Sequence, residues 1–162
     1  MKLILIAISS KLRLFKSNVV SVLLYGCCTW KVSKNVTSRL QVFINRCLRN
    51  IFRIYWLNRI SNEELLGGTE IEPVEIRIKK QKWAWIGHTQ RKGEDNIARM
   101  AMEWNPFERL GRAPSGQYQT WRRAVERETK KHGKSWRELK LLARNRIRWR
   151  SRILDALCAI AD

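Results

Sequence analysis

The sequence predicts a small all-α assembly of five to seven helices. Apolar residues recur at steps of three and four through most of the chain, as on one face of a helix. Two capping-box patterns that start helices occur, Ser61-Asn62-Glu63-Glu64 and Ser135-Trp136-Arg137-Glu138. Glycine and proline separate the periodic stretches. The 162 residues suffice for one domain or two small ones.

The first predicted helix covers residues 11–25. Its apolar residues recur largely at steps of three and four, which predicts one buried face formed by Leu12, Phe15, Val19, Val22 and Leu23. The short apolar run at 19–25 also fits a strand, and periodicity alone leaves that alternative open.

A second helix is predicted by an apolar stripe between residues 36 and 51: Val36, Leu40, Phe43, Ile44, Cys47, Leu48 and Ile51. At about 100° per residue, Arg39, Arg46, Arg49 and Arg53 fall largely opposite this stripe. Their face lacks the acids that usually pair with arginine at a spacing of four. It therefore favours contact with phosphates over the alternative of a solvated helix face.

Further helices follow the first capping box. Gly67 and Gly68 end a short helix, and Pro73 suits the first turn of the next, which runs towards Gly87. Asp95 can cap another short helix through Met102. A helix over 118–132 stops at Gly133, and the second capping box starts the last one.

These elements predict four segments. Residues 1–66 form a helical segment, and residues 67–104 form connecting helices that carry the motif WAWIGH. Residues 105–117 contain two prolines and two glycines and are predicted to be a linker. Residues 118–162 form a helical pair.

Charge is the strongest compositional signal. The chain has 33 Lys and Arg against 14 Asp and Glu, a net charge of +19 and a pI near 10.7. Residues 1–62 contain no acid at all, so no carboxylate in that stretch neutralises its lysines and arginines. Such a balance predicts attraction to polyanions, above all nucleic acid.

The cysteines indicate a reducing, intracellular environment, and we expect a nuclear or cytoplasmic protein. Cys27, Cys28, Cys47 and Cys158 form no Cys-x-x-Cys pair, and two adjacent cysteines make an awkward disulfide framework. A zinc site that adds His88 or His132 is less expected than buried thiols, and no metal or cofactor is predicted.

The N-terminal sequence MKLILIAISS resembles a short signal peptide. Because Lys11, Arg13 and Lys16 follow it closely, we interpret it as the start of a helix. No stretch approaches the ~20 apolar residues of a transmembrane helix, so no membrane association is predicted.

Catalytic groups are scarce. The only aspartates are Asp95, Asp155 and Asp162, whereas two-metal nucleotidyl transfer needs clustered carboxylates. No Gly-rich phosphate loop and no nucleophile elbow occurs, and His88 has no identifiable orienting acid. The chain is therefore predicted not to be an enzyme on its own, and a small metal-dependent nuclease is disfavoured.

The segment QKWAWIGHTQRK combines aromatic and basic residues. Trp83 and Trp85 lie about 200° apart on a helix, so they cannot share a face. Trp85 is predicted to lie in the core, and Trp83, which has lysines beside it, to stack on bases. Gly87 is predicted to end the helix, so that His88 and Arg91 project towards the nucleic acid. The full candidate nucleic-acid-binding set is Lys11, Arg13, Lys16, Arg39, Arg46, Arg49, Arg53, Lys79, Lys80, Lys82, Trp83, His88 and Arg91.

Four strings occur in order between residues 11 and 150: KLRLFKSNVVSVLLYGCCTW, LQVFINRCLRNIF, KKQKWAWIGHTQRK and WRRAVERETKKHGKSWRELKLLARNRIRWR. They resemble the C-terminal region of endonuclease-reverse transcriptases from non-LTR retrotransposons. The resemblance implies a helical thumb at 1–66 and a C-terminal helical extension, which together hold template and primer. It also implies an upstream palm domain that carries the polymerase aspartates.

Several residues depart from the family pattern. Cys28 stands where a glutamate generally precedes Thr-Trp, and Asn145 stands where an aspartate commonly precedes Arg146. Arg146, on the same predicted helical arc as Leu139 and Trp149, is therefore expected to be underpaired. The departures leave an active and a decayed copy of such an element both open.

Two functions remain open from sequence alone. The first is binding of RNA or an RNA/DNA hybrid with little sequence preference. The alternative is a non-catalytic structural or interaction remnant whose basic helices bind acidic proteins.

Overall fold

The computed structural model describes residues 7–55, 60–104, 121–131 and 133–154. Every regular element among them is helical, so the all-α prediction is confirmed. They form eight continuous helical segments, one more than the upper limit predicted. The additional segment arises because the last predicted helix is interrupted at Asn145.

The chain divides into two compact units, residues 1–79 and 80–162. The first unit contains α1 (Ile8–Leu14), a π-helical turn (Phe15–Val20), α2 (Ser21–Leu23), a 3-10 turn (Cys27–Thr29), α3 (Lys34–Phe52), α4 (Asn62–Gly67) and the start of α5 (Val74–Gln90). The boundary between the units falls within α5, which therefore contributes residues to both.

The first helical segment buries part of the predicted face, because Phe15 is buried and Leu12 and Leu23 pack half-buried against the core. Residues 19–25 are helix and turn, so the strand alternative is wrong. Val20 and Leu24 are buried, whereas Val19 and Val22 are exposed. The reason is the π-helical turn, whose wider i→i+5 hydrogen bonding shifts the phase of the residues that follow.

The core of the first unit forms around α3. Ile44 and Leu48 are buried and Leu40 is half-buried, while Val36 and Phe43 at the edge of the predicted stripe are exposed. The helix contacts α1 and α4. The buried cluster consists of Phe15, Val20, Leu24, Cys27, Ile44, Leu48, Leu65, Ile71, Val74 and Ile78.

Both predicted capping boxes are present. The Ser61 hydroxyl accepts from the Glu64 backbone N–H, and the Glu64 carboxylate accepts from the Ser61 N–H, each at 3.1 Å. Ser135 and Glu138 repeat the exchange at 3.3 and 2.9 Å. These reciprocal bonds satisfy donors that the first turns of α4 and α8 would otherwise leave unpaired.

Within the described residues, the second unit contains the rest of α5 and four further α-helices. They are α6 (Ile97–Glu103), α7 (Trp121–Lys131), α8 (Trp136–Arg144) and α9 (Arg146–Trp149), which continues into a π-helical turn (Arg150–Leu154). The side chain of Asn96, not of Asp95, caps α6. The predicted linker at 105–117 lies outside the described residues. The buried apolar residues of this unit are Trp83, Ile86, Met102, Val125, Leu139, Ala143, Trp149 and Ile153.

Gly87 does not end α5, contrary to prediction. The helix continues to Gln90, and the indole of Trp149 packs directly on the backbone at Gly87. A Cβ at this position would lie 2.3 Å from Trp149 Nε1. Close approach between helices, and not chain reversal, therefore accounts for the glycine.

Arg146 is exposed, so its predicted position on one helical arc with the buried Leu139 and Trp149 is wrong. Asn145 ends α8 and caps α9, because its Oδ1 accepts from the backbone N–H groups of Ile147 and Arg148 at 3.0 and 3.1 Å. This break changes the helical phase and turns Arg146 outwards.

Among the described helices, none is both long and apolar enough to span a membrane.

Candidate nucleic-acid interface

Two arginines of α3 and the arginine that caps its C-terminus form an exposed basic face, which we call the arginine row: Arg39, Arg46 and Arg53. Within the described residues, none of the three has a carboxylate partner within 4.0 Å. Arg39 and Arg46 are two helical turns apart, which is a rise of about 10 Å. Arg53 follows at the C-cap with φ 56°. The row lies on the side of α3 away from Ile44 and Leu48, so its charge faces solvent.

Arg49, predicted as the fourth member of this face, has a structural role. It is half-buried, and its Nη2 donates to Asn62 Oδ1 at 2.8 Å and to the Ile60 carbonyl at 3.4 Å. These bonds connect the end of α3 to the start of α4. The guanidinium is therefore partly occupied within the protein, unlike those of the arginine row.

A groove of about 360 Å³ lies beside the arginine row, and Arg46 belongs to both. None of its lining residues is acidic. The Arg46 guanidinium and the exposed Asn50 amide can donate to a ligand, and such groups commonly bind phosphate and sugar oxygens. The place of Asn62 in this groove could not be predicted from the sequence, because the chain must reverse after α3 to bring it there. The lining residues are Val42, Asn45, Arg46, Arg49, Asn50, Ile54 and Asn62.

The basic residues of the first helical segment differ in availability. Arg13 is exposed and Lys11 is half-buried. Lys16 forms an ion pair with Glu70 at 3.1 Å, although the Glu70 side chain is 96% exposed. An ion pair this exposed contributes little stability and competes weakly with a polyanion.

The lysines of α5 are more strongly engaged. Lys79 pairs with Glu75 at 2.9 Å. Lys82 pairs with Glu128 at 2.7 Å, and only 14% of its side chain is exposed. Lys80 is half-buried. The arginine row is therefore more available to an anionic ligand than Lys79 and Lys82.

The assignment of Trp83 to base stacking is wrong. Its side chain is 1% exposed and its ring packs against Trp149, with the centroids 6.3 Å apart. Trp85, predicted to lie in the core, is only half-buried and meets Trp121 edge-to-face at 5.5 Å. The two tryptophans lie on different faces of α5, as their angular separation requires. Trp83 is the one in the core, because Trp149 packs against it.

His88 and Arg91 lie at the end of α5. His88 is exposed in the last turn. Arg91 is also exposed, but its Nη1 donates to the Ala143 carbonyl at 3.1 Å, near the end of α8. One edge of the Arg91 guanidinium thus stabilises the fold while the remainder stays accessible.

No group of three or more His, Cys, Asp and Glu side chains is placed to hold a metal in the part of the chain that the structure describes. Cys27, Cys28 and Cys47 form no disulfide in the described part of the chain, and Cys158 lies outside it. Burial raises the pKa of the Cys27 thiol, and the neighbouring Cys28 adds to the increase. Cys27 is therefore a neutral core residue.

Two strings that carry the retrotransposon resemblance contact each other in the second unit. Trp149 Nε1 donates to the Trp83 carbonyl at 3.0 Å, and Arg91 donates to the Ala143 carbonyl.

Comparison of the chain with protein-family models, curated proteins and solved structures found no match. Functional interpretation therefore depends on the residues themselves and on their placement.

Proposed function

We propose that the chain is a nucleic-acid-binding C-terminal part of a non-LTR retrotransposon reverse transcriptase. It binds the backbone of RNA or of an RNA/DNA hybrid with little sequence preference and has no polymerase activity of its own. The observation that carries the proposal is the arginine row, whose three exposed guanidinium groups have no carboxylate partner in the described structure.

Several properties of α3 support a phosphate ligand. A helix face that is merely solvated usually alternates basic and acidic residues, because pairs at a spacing of four stabilise it. α3 has no acidic residue, and its basic face continues into a groove without carboxylates. A net charge of +19 adds long-range attraction for any polyanion.

The absence of polymerase activity is part of the proposal. In the proteins that this sequence resembles, a palm domain upstream supplies the metal-binding aspartates. Primer extension by the purified chain with divalent metal and nucleotides is therefore expected to give no product above a protein-free control. Robust extension would contradict the fragment interpretation.

The direct test measures the salt dependence of binding to labelled RNA and to an RNA/DNA hybrid by fluorescence anisotropy. The test variant replaces Arg39, Arg46 and Arg53 by Gln, which keeps helix propensity nearly constant. The control variant replaces Arg137, Arg148 and Arg150 by Gln, which removes the same charge from three exposed arginines of the second unit. Circular dichroism checks that both variants remain helical.

Removal of one arginine–phosphate interaction is expected to flatten the slope of log Kd against log salt by about 0.7 to 0.9. The arginine-row variant should therefore show a clearly flatter slope than the control variant. Equal slopes would refute a dedicated interface on α3 and leave only diffuse attraction. A wild-type Kd that changes less than about tenfold between ~50 and ~200 mM salt would favour an acidic protein partner instead.

A further inference from the structure

A second basic site lies entirely within the second unit. A pocket of about 450 Å³ is bounded by the end of α5, the turn that leads to α6, and α8. Five of its seven lining residues are basic, one is an amide and only Glu94 is acidic. Apart from Arg91, none of the lining residues was predicted from the sequence to bind nucleic acid.

Three of the five basic residues are held by contacts within the protein. Arg91 donates to the Ala143 carbonyl at 3.1 Å, and Arg99 donates to the Lys92 carbonyl at 2.8 Å. Lys140 lies 2.6 Å from the Glu103 carboxylate. These contacts fix the walls of the pocket and position its remaining donors.

The other two basic residues, Lys92 and Arg144, have no carboxylate partner in the described part of the chain. The lining carries five positive charges against the negative charge of Glu94, so it remains strongly positive even when Glu103 behind Lys140 is included. Glu94 lies 3.4 Å from Arg99, but its side chain is 89% exposed, so water screens its charge. A pocket of this charge attracts anions.

Gln90 provides an independent indication of a ligand. The side chain lines the pocket and is 9% exposed, and its Nε2 has no hydrogen-bond acceptor among the described protein atoms. A side-chain hydrogen-bond interaction between Gln90 and Glu103 helps lower the pKa of that carboxyl, but its geometry is too poor to satisfy Nε2. A buried N–H without an acceptor is unfavourable, and a ligand oxygen would satisfy it.

We propose that this pocket binds a phosphate group, with Lys92 and Arg144 supplying charge and Gln90 Nε2 donating a hydrogen bond. Arg91 contributes the N–H groups that its bond to Ala143 leaves available. The phosphate comes either from the end of a nucleic-acid strand or from a free inorganic anion. Binding of a nucleic-acid end rests on the proposed function, whereas binding of a free anion does not. No residue of the arginine row lines the pocket, so the two sites can be tested separately.

A competing explanation is that these cations only stabilise helix ends. Arg91 directly follows α5 and Arg144 ends α8, where positive charge interacts favourably with the helix dipole. That explanation predicts that removing them lowers stability without changing anion binding. The two explanations therefore differ in a measurable quantity.

The experiment titrates the full chain with inorganic pyrophosphate at constant ionic strength and follows side-chain amide signals by NMR. Gln90→Leu identifies the Gln90 signal, which should shift on binding. The variant Lys92→Gln/Arg144→Gln should weaken binding by about tenfold or more, the effect of removing a hydrogen bond to a charged group. The control Lys130→Gln/Arg148→Gln removes two exposed charges outside the pocket and should bind like the wild type.

A second arm compares RNA oligonucleotides with a 5′-phosphate and with a 5′-hydroxyl. Tighter binding of the phosphorylated strand by the wild type, but not by Lys92→Gln/Arg144→Gln, identifies the nucleic-acid end as the source. Pyrophosphate binding without that difference identifies a free anion. An unmoved Gln90 signal, or equal pyrophosphate affinity of the pocket and control variants, overturns the proposal whatever the arginine-row variant does to RNA binding.

Discussion

The indole of Trp149 rests on the backbone of α5 at Gly87, where any side chain would collide with it. The contact allows Trp149 Nε1 to reach the Trp83 carbonyl at 3.0 Å. Glycine is therefore required inside a helix, where it normally costs about 1 kcal/mol relative to alanine. The close packing of α9 on α5 offsets that cost.

Gly87→Ala is expected to destabilise the protein by about 1–3 kcal/mol, because the new methyl group overpacks against a rigid indole. Chemical denaturation followed by tryptophan fluorescence measures the effect. Gly67→Ala is the matched control, since its Cβ would meet nothing within 4 Å. The control should be neutral or stabilising, and similar destabilisation of both variants would contradict the packing argument.

Trp149→Phe is expected to cost about 1 kcal/mol for the missing hydrogen bond, and more for the reduced packing. In this background Gly87→Ala should be less harmful, because the atoms that the Cβ would meet belong to the five-membered part of the indole. A double-mutant cycle on the free energy of unfolding should show a coupling of at least about 0.5 kcal/mol. Strict additivity would show that the two residues do not interact as the structure indicates.

Asn145→Ala is expected to destabilise the second unit by about 1 kcal/mol, since Oδ1 accepts from the backbone N–H groups of Ile147 and Arg148 in α9. Asn145→Asp, which introduces another good capping residue, should keep the cap and change stability by less than about 0.5 kcal/mol. Thermal unfolding of the two variants separates the outcomes. Equal destabilisation would mean that the cap contributes nothing.

The stability of the second unit is expected to depend on pH through Glu103. Burial by itself raises the pKa of Glu103, but Lys140, with smaller contributions from Arg99 and Gln90, outweighs burial and holds the pKa below the ordinary value of 4.5. Because the folded pKa is the lower one, the ionised carboxylate stabilises the fold above pH 4.5, and this contribution disappears as the pH falls through the folded pKa.

The measurement compares urea unfolding of the wild type and Glu103→Gln from ~pH 7 to ~pH 3. The wild type should be the more stable protein at neutral pH, and the difference should shrink on acidification. Lys140→Gln should reduce the same pH-dependent difference, because it removes the main stabilising charge. A difference that stays constant across the range would contradict the assignment.

The two helix starts with capping boxes could be predicted from the sequence, because the groups that form a capping box are neighbours in the chain. In the capping boxes Ser61–Glu64 and Ser135–Glu138, the two residues that exchange hydrogen bonds are only three positions apart. The burial of Trp83 could not be predicted in this way, since Trp149 lies 66 residues further along. The phase shift after Phe15 could not be predicted either, because apolar periodicity assumes a regular α-helix.

In the candidate interface, too, some features are determined by local sequence and others by contacts between distant residues. Exposure of Arg39 and Arg46 followed from helical phase, which local sequence determines. The bond from Arg49 to Asn62 depends on the return of the chain after α3, and the pocket beside Gln90 depends on α8 meeting the end of α5. Neither has a signature in local sequence.

The composition of α3 gives it a fixed charge. No residue between Lys34 and Phe52 is Asp, Glu or His, the side chains whose ordinary pKa values lie between about 3 and 7. Acidification that neutralises carboxylates such as Glu103 leaves the charge of this helix unchanged. Any acid sensitivity in the attraction of the protein for a polyanion must therefore originate in other elements or in the polyanion.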